Sequence, residues 1–146
     1  MSEWVRFAVF AVSGICIGIM DFKTQKIPNI LLLVLAGTLL AADVFLDAGA
    51  IPYKLLAGLG AYCLFYAVYR LRGGLGYGDV KYAGVIGYFL GPGRVLSGLL
   101  CAVLLGLASW CVGHFLFRWG KEQRFPFGPW LGCGAIAAKL LHWGIL

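Results

Sequence analysis

The sequence predicts an all-α integral membrane protein of six transmembrane helices, and three observations carry that prediction. The first is composition: of 146 residues, 62% are hydrophobic and only 12% are charged, with a mean hydropathy of +0.90. A soluble domain of this length could not hide so much apolar surface, because its interior is limited by its surface-to-volume ratio. The second is spacing. The apolar runs are separated by clusters of charge, Pro and Gly, and most approach the roughly 20 residues needed to cross a hydrocarbon core of about 30 Å. The third is charge. The formal net charge is +6, and the basic residues fall between apolar runs, as in cytoplasmic membrane loops, not in a block suited to nucleic acid. The length leaves room for little else, so residues 1–146 are expected to form a single transmembrane domain.

The first run is Trp4 to Met20. Glu3 offsets Arg6 and no small-residue cleavage site follows, so it reads as a retained span and not a secretory signal. After the polar stretch Asp21 to Asn29, the second span covers Ile30 to Phe45 and is closed by Asp47, Gly49 and Pro52. The third covers Lys54 to Leu71 and leads into the glycine-rich loop Arg72 to Gly78. A short fourth helix starts at Asp79 and stops at Leu90, before Gly91-Pro92-Gly93. At roughly 1.5 Å per residue it is too short to cross a bilayer alone, so it is expected to begin at depth, beside protein or a wet cavity. The glycines around it suggest close helix approach. The fifth span covers Val95 to Phe117 and the sixth Trp130 to Trp143, with the loop Arg118 to Pro129 between them.

With six spans the loops alternate sides. The polar stretch after the first span, the glycine-rich loop and the loop after the fifth share one side. They carry Lys23, Lys26, Arg70, Arg72, Lys81, Arg118, Lys121 and Arg124, eight of the 12 basic residues. That side is therefore expected to be cytoplasmic, with both termini on the outer, periplasmic side.

Ionisable residues beside a span are functional candidates, because each is costly there. Asp21 closes the first span and Asp79 opens the fourth, both at the cytoplasmic end of this topology. If the fold joins them, two carboxylates in a partly dry site share a proton and titrate as a unit. The ionised member can take a proton from water and the protonated one can donate to a carbonyl. The bland alternative is helix capping at a wet interface, for which Asp79 is well placed. Gly76 and Gly78 weigh against it, since they let the backbone bend and a substrate strand approach without a Cβ clash.

These residues carry a resemblance. Gly76-Tyr77-Gly78-Asp79 resembles the GxGD signature of membrane aspartyl proteases. Asp21 with Lys23, Lys26 and Ile27-Pro28-Asn29 is similar to the other aspartate segment of the type IV prepilin peptidases, and Phe125-Pro126-Phe127-Gly128-Pro129 is similar to a third segment of that family. The three occur in order and span essentially the whole chain. The resemblance implies a six-helix aspartyl endopeptidase of the bacterial cytoplasmic (inner) membrane. It implies removal of the short basic leader of prepilins or pseudopilins after a glycine, in pilus assembly or protein secretion. Asp21 and Asp79 become the catalytic pair, without metal or cofactor. Lys23, Lys26 and Lys81 become substrate contacts, which a positive-inside loop explains equally well. Gly76, Gly78, Pro126, Phe127, Gly128 and Pro129 become residues that shape the site. Bifunctional members carry an extra cytoplasmic segment with paired C-x-x-C cysteines and also methylate the new N-terminus. No such segment is present here, so peptidase activity without methyltransferase activity is expected, with prepilins and membrane lipid as partners.

Cys16, Cys63, Cys101, Cys111 and Cys133 include no C-x-x-C pair and are expected to be buried small hydrophobes. Asp43 and Asp47 form a rival carboxylate pair, expected to be solvated at the outer interface. His114 and His142 fall near opposite ends of the spans. No H-E-x-x-H or G-x-S-x-G motif occurs. The alternative function is a small proton- or ion-coupled transporter or channel subunit using the same carboxylates.

Overall fold

A computed structural model describes residues 2–24, 26–72, 75–117 and 127–144. Six helices occur among them: α1 (Ser2–Thr24), α2 (Asn29–Leu46), α3 (Ile51–Arg72), α4 (Tyr77–Leu90), α5 (Val95–Phe117) and α6 (Gly128–His142). No strand occurs among the described residues. A 3-10 turn, Ala48–Ala50, joins α2 to α3. Among the described residues four segments are long and apolar enough to cross a membrane: Glu3–Thr24, Asn29–Leu46, Ala48–Leu71 and Val95–Phe115. Their outward faces carry exposed Ile15, Leu33, Leu56 and Leu107 among many others. In water such a surface would aggregate, and in a multi-pass membrane protein it meets lipid.

Local chemistry sets the helix ends. The α1 helix runs one turn past the expected Met20 and includes Asp21. At its end the Thr24 hydroxyl donates to the carbonyls of Met20 and Lys26, at 2.8 and 3.1 Å. Pro28 sits at the N-cap of α2 with φ −68°, where the missing N–H costs nothing. Gly91 ends α4 with φ 73° and ψ 175°, a conformation open essentially to glycine alone, and Pro92 follows.

Helix direction alternates. Asp21, in the last turn of α1, meets Gly128 at the start of α6. At the other end Asp43, late in α2, meets Arg6 near the start of α1 and Lys54 near the start of α3. The short α4 is the central helix. Val80, Tyr82, Ala83, Ile86, Phe89 and Leu90 are buried among α2, α3, α5 and α6, which is why 14 residues suffice: α4 is enclosed by protein and need not match the bilayer. Apolar burial drives little association inside lipid, so close approach of small residues does the work. A Cβ on Gly87 of α4 would lie 2.6 Å from the Ala57 carbonyl of α3, and one on Gly134 of α6 would lie 2.5 Å from the Ala102 amide nitrogen of α5.

Two expectations are corrected. Asp43 is not solvated. It is 1% exposed, held by Lys54 Nζ at 2.9 and 3.0 Å and by Arg6 Nε at 2.8 Å. None of the five cysteines is fully buried: Cys16, Cys63 and Cys133 are exposed and Cys101 and Cys111 partly so. On an apolar outer surface a thiol needs no burial to be accommodated.

Candidate active site

The inner stripe of α1 is Arg6, Phe10, Gly14, Ile17 and Asp21, all buried and spaced by three or four residues as one helix face requires. Asp21 therefore turns inward while Phe22, Lys23 and Thr24 are exposed. Asp21 is only 5% exposed, and its Oδ2 accepts the Gly128 N–H at 3.0 Å. That N–H is one of the unpaired donors at the start of α6, where the helix dipole also favours an anion.

Phe127 fixes the start of α6. Its ring lies between Phe65 of α3, with centroids 6.4 Å apart, and Gly106 of α5, where a Cβ would approach it to 2.6 Å. Pro129 occupies the first turn of α6, where proline is pre-organised for a helix. The Phe127-Gly128-Pro129 segment thus aims an N–H at Asp21. Gly128 cannot carry a side chain without conflict, because a Cβ there would lie 2.8 Å from Asp21 Oδ2 and 3.2 Å from Ile27 Cδ1. Pro126 lies outside the described residues.

Asp79 is the third residue of α4 and is 8% exposed. Its Oδ2 accepts the Gly76 N–H at 3.2 Å, half of a capping box, the other half being impossible for a glycine N-cap. The capping reading is therefore correct for one oxygen. Asp79 Oδ1 is buried and has no hydrogen-bond partner among the described residues, so capping does not account for it.

The glycines of the Gly76-Tyr77-Gly78-Asp79 turn act differently from the expectation. Gly76 has φ −72° and ψ 141°, an extended conformation open to any residue, so no bend demands it. Its constraint is space, since a Cβ would lie 3.0 Å from Asp79 Oδ2. Gly78 admits Ile27, whose Cβ would be 3.0 Å from a Cβ added there. Ile27 belongs to the segment quoted above, but the sequence assigns it no role. It is buried, reaches both Gly78 beside Asp79 and Gly128 beside Asp21, and so wedges the two aspartate-bearing turns into one site. Its signal was an apolar side chain in the otherwise polar stretch between α1 and α2.

The lysines divide. Lys81 Nζ donates to Asn29 Oδ1 at 2.9 Å and lies 4.8 Å from the centre of the Tyr77 ring, tying the start of α2 to α4. Lys23 and Lys26 are exposed and form no ion pair among the described residues. The histidines stay at opposite ends: His114 ends α5, and His142 ends α6 beside Arg94.

Comparison with known proteins bears on this arrangement. The model of the type IV leader peptidase family matches residues 8–111. A Bacillus subtilis prepilin leader peptidase/N-methyltransferase is 33% identical over 136 residues, covering 90% of this chain and 54% of its own. One from Dickeya chrysanthemi is 31% identical, covering 88% and 50%. The chain thus spans about half the length of these relatives. The leader peptidase HopD of Salmonella typhimurium is 34% identical over 153 residues, covering 95% of this chain and 93% of its own. No solved structure matches the chain. The family match covers most of the chain, including both aspartate-bearing turns, and a relative matches nearly end to end: this chain belongs to the type IV leader peptidase family.

Proposed function

We propose that this protein is an aspartyl endopeptidase of the bacterial cytoplasmic (inner) membrane. It removes the short basic leader from prepilins or pseudopilins after a glycine, at the cytoplasmic face, with Asp21 and Asp79 as the catalytic pair. Family membership and the names of the relatives support prepilin processing. The observation that carries the two-aspartate assignment is geometric. Both carboxylates are buried at the same end of the bundle, each with Oδ2 tethered by a backbone N–H, and Asp79 Oδ1 is left without a partner among the described residues.

In this reading the tethers hold both carboxylates still, and their untethered oxygens address a water molecule and the scissile carbonyl. The ionised carboxylate takes a proton from the water as it attacks the carbonyl carbon. The protonated one donates to the carbonyl oxygen. On collapse of the tetrahedral intermediate the C–N bond breaks and the leaving amine takes a proton. Burial makes the tethers count for more than they would in water. Gly76, Gly78, Phe127, Gly128 and Pro129 place the tethers, while Lys23, Lys26 and Lys81 line the substrate's approach.

The same proposal sets residues 1–146 as one domain of six spans, with both termini outside and the three basic loops in the cytoplasm. The eight-to-four division of basic residues supports it. The peptidase step alone is proposed for these residues, in line with the HopD relative named for that activity. A transport role would need ionisable groups spaced across the membrane, and the buried carboxylates Asp21, Asp79 and Asp43 lie at the two ends.

The test is cleavage of a prepilin with a basic leader by purified protein in lipid, beside Asp21→Asn and Asp79→Asn. Wild-type cleavage and loss in both variants supports the assignment. Full activity in either variant refutes it.

A further inference from the structure

The chain has six acidic residues, and few of them are free to meet a cation at the aspartate end. Asp21 and Asp79 are the reacting pair of the reading above. Glu3 and Asp43 are tied to cations at the opposite end, where Asp47 ends α2, and Glu122 lies outside the described residues. A basic leader arriving at the site therefore finds no spare carboxylate among the described residues. What this end offers instead is aromatic. Tyr62, Tyr66 and Tyr69 recur at intervals of four and three residues and share one face of α3. The Tyr62 and Tyr66 rings stack with centroids 5.9 Å apart. Tyr69 lies 6.2 Å from Tyr66 and 5.7 Å from Tyr77 in the first turn of α4. The Tyr62 and Tyr77 hydroxyls, 3.0 Å apart, close the circuit. Tyr77 stands two residues before Asp79.

We propose that this cluster is a specificity subsite, in which the rings of Tyr66 and Tyr69 receive a lysine or arginine side chain of the substrate's leader by cation–π attraction. The inference rests on the peptidase reading above and adds how a basic leader is recognised without a carboxylate. Lys81 shows what these rings accept, since its Nζ lies 4.8 Å from the centre of the Tyr77 ring. With Tyr77 so covered, Tyr66, which is 39% exposed, and the half-buried Tyr69 remain for the substrate. A third carboxylate in this place would disturb how Asp21 and Asp79 share a proton, and a neutral ring does not. Tyrosines at a span end can simply mark the lipid headgroup level. Here four of the chain's seven tyrosines converge on the start of one helix, and Tyr62 lies at the middle of the 22-residue α3, deeper than a headgroup belt.

The test measures cleavage in zwitterionic vesicles, where the bilayer itself does not attract cations. Two substrates are compared, a prepilin with a basic leader and the same prepilin with the leader's lysines and arginines changed to glutamine. The wild type should show a KM about fivefold lower for the basic leader, the size of a cation–π contact. Tyr66→Leu combined with Tyr69→Leu should raise the KM for the basic leader about fivefold and leave that for the glutamine leader unchanged. Tyr66→Phe, which keeps the ring, should behave as the wild type. Equal KM values for the two leaders in the wild type overturn the proposal. So does an unchanged KM in the leucine variant, or an equal rise on both leaders, which marks a packing role. A loss in Tyr66→Phe as large as in the leucine variant overturns it as well, because the ring face would not be what binds. If the wild type cleaves and these comparisons fail, only the subsite is wrong. If the wild type cleaves neither prepilin, the peptidase reading fails and the subsite falls with it.

Discussion

The two ends of the helix bundle both bury charge, and they treat it in opposite ways. At one end Asp43 is paired with Arg6 and Lys54, and Glu3 bridges Arg6 and Lys139. Helices α1, α2, α3 and α6 are tied together there by carboxylates that meet cations. At the other end Asp21 and Asp79 meet no cation among the described residues. Each accepts a single backbone N–H, and one oxygen of Asp79 is left over. Helix α1 makes the contrast within a single face, with Arg6 at one end of its inner stripe and Asp21 at the other. A charge paired with its counter-ion in the resting fold serves structure. A charge held in place but unmatched is available to a substrate.

Substitutions at the two ends should therefore separate activity from stability. The largest effect on cleavage is expected from Asp79→Asn and Asp21→Asn, about 10³-fold in kcat, with thermal unfolding in detergent unchanged or shifted upward. A large loss of stability in these variants would show that the aspartates hold the bundle together, and would break the contrast. Gly128→Ala comes next. Its methyl group would push Asp21 off the tether, and a misplaced catalytic group costs about 10²-fold in turnover, while overpacking costs about 1–3 kcal/mol of stability.

Asp43→Ala should do the reverse. Leaving Arg6 and Lys54 buried without their partner should cost about 3–5 kcal/mol of stability, with turnover per folded molecule nearly preserved. Loss of turnover at full stability would mean that the ionic end communicates with the site. The smallest effect is expected from Lys81→Met, which removes one hydrogen bond to Asn29 at a partly exposed position. About 1 kcal/mol of stability should be lost, and cleavage should fall modestly. A pH profile sharpens the same comparison. Below the titration of both aspartates no base remains, and above it no acid remains, so cleavage by the wild type should fall on both sides of an optimum.

Much of the site was legible because it is built from local signals. A carboxylate ending an apolar run, a carboxylate after Gly-x-Gly, and a Pro-Phe-Gly-Pro segment each stand out within a few residues. What escaped notice depends on partners distant in the chain. Asp43 read as solvated because it sits near a span end, and only Arg6, 37 positions earlier, and Lys54, 11 positions later, bury it. Ile27 read as loop because its two contacts, Gly78 and Gly128, belong to other turns. Gly78 was expected to clear a path for substrate, and the space it leaves is taken by Ile27.

By itself the sequence determined the membrane class, the helices to within a few residues, the brevity of α4 and the two aspartates that adjoin the basic loops. Those follow from hydropathy, capping residues and charge, which act over one or two turns of helix. Only the tertiary structure decided that α4 is the enclosed central helix and that Ile27 joins the two aspartate-bearing turns. It alone showed that a backbone N–H from the start of α6 reaches Asp21, and that the opposite end is closed by an ionic cluster of Glu3, Arg6, Asp43, Lys54 and Lys139. Those depend on which small residues let which helices approach, and such pairing is a property of surfaces brought together by the whole fold, with no trace in any single segment.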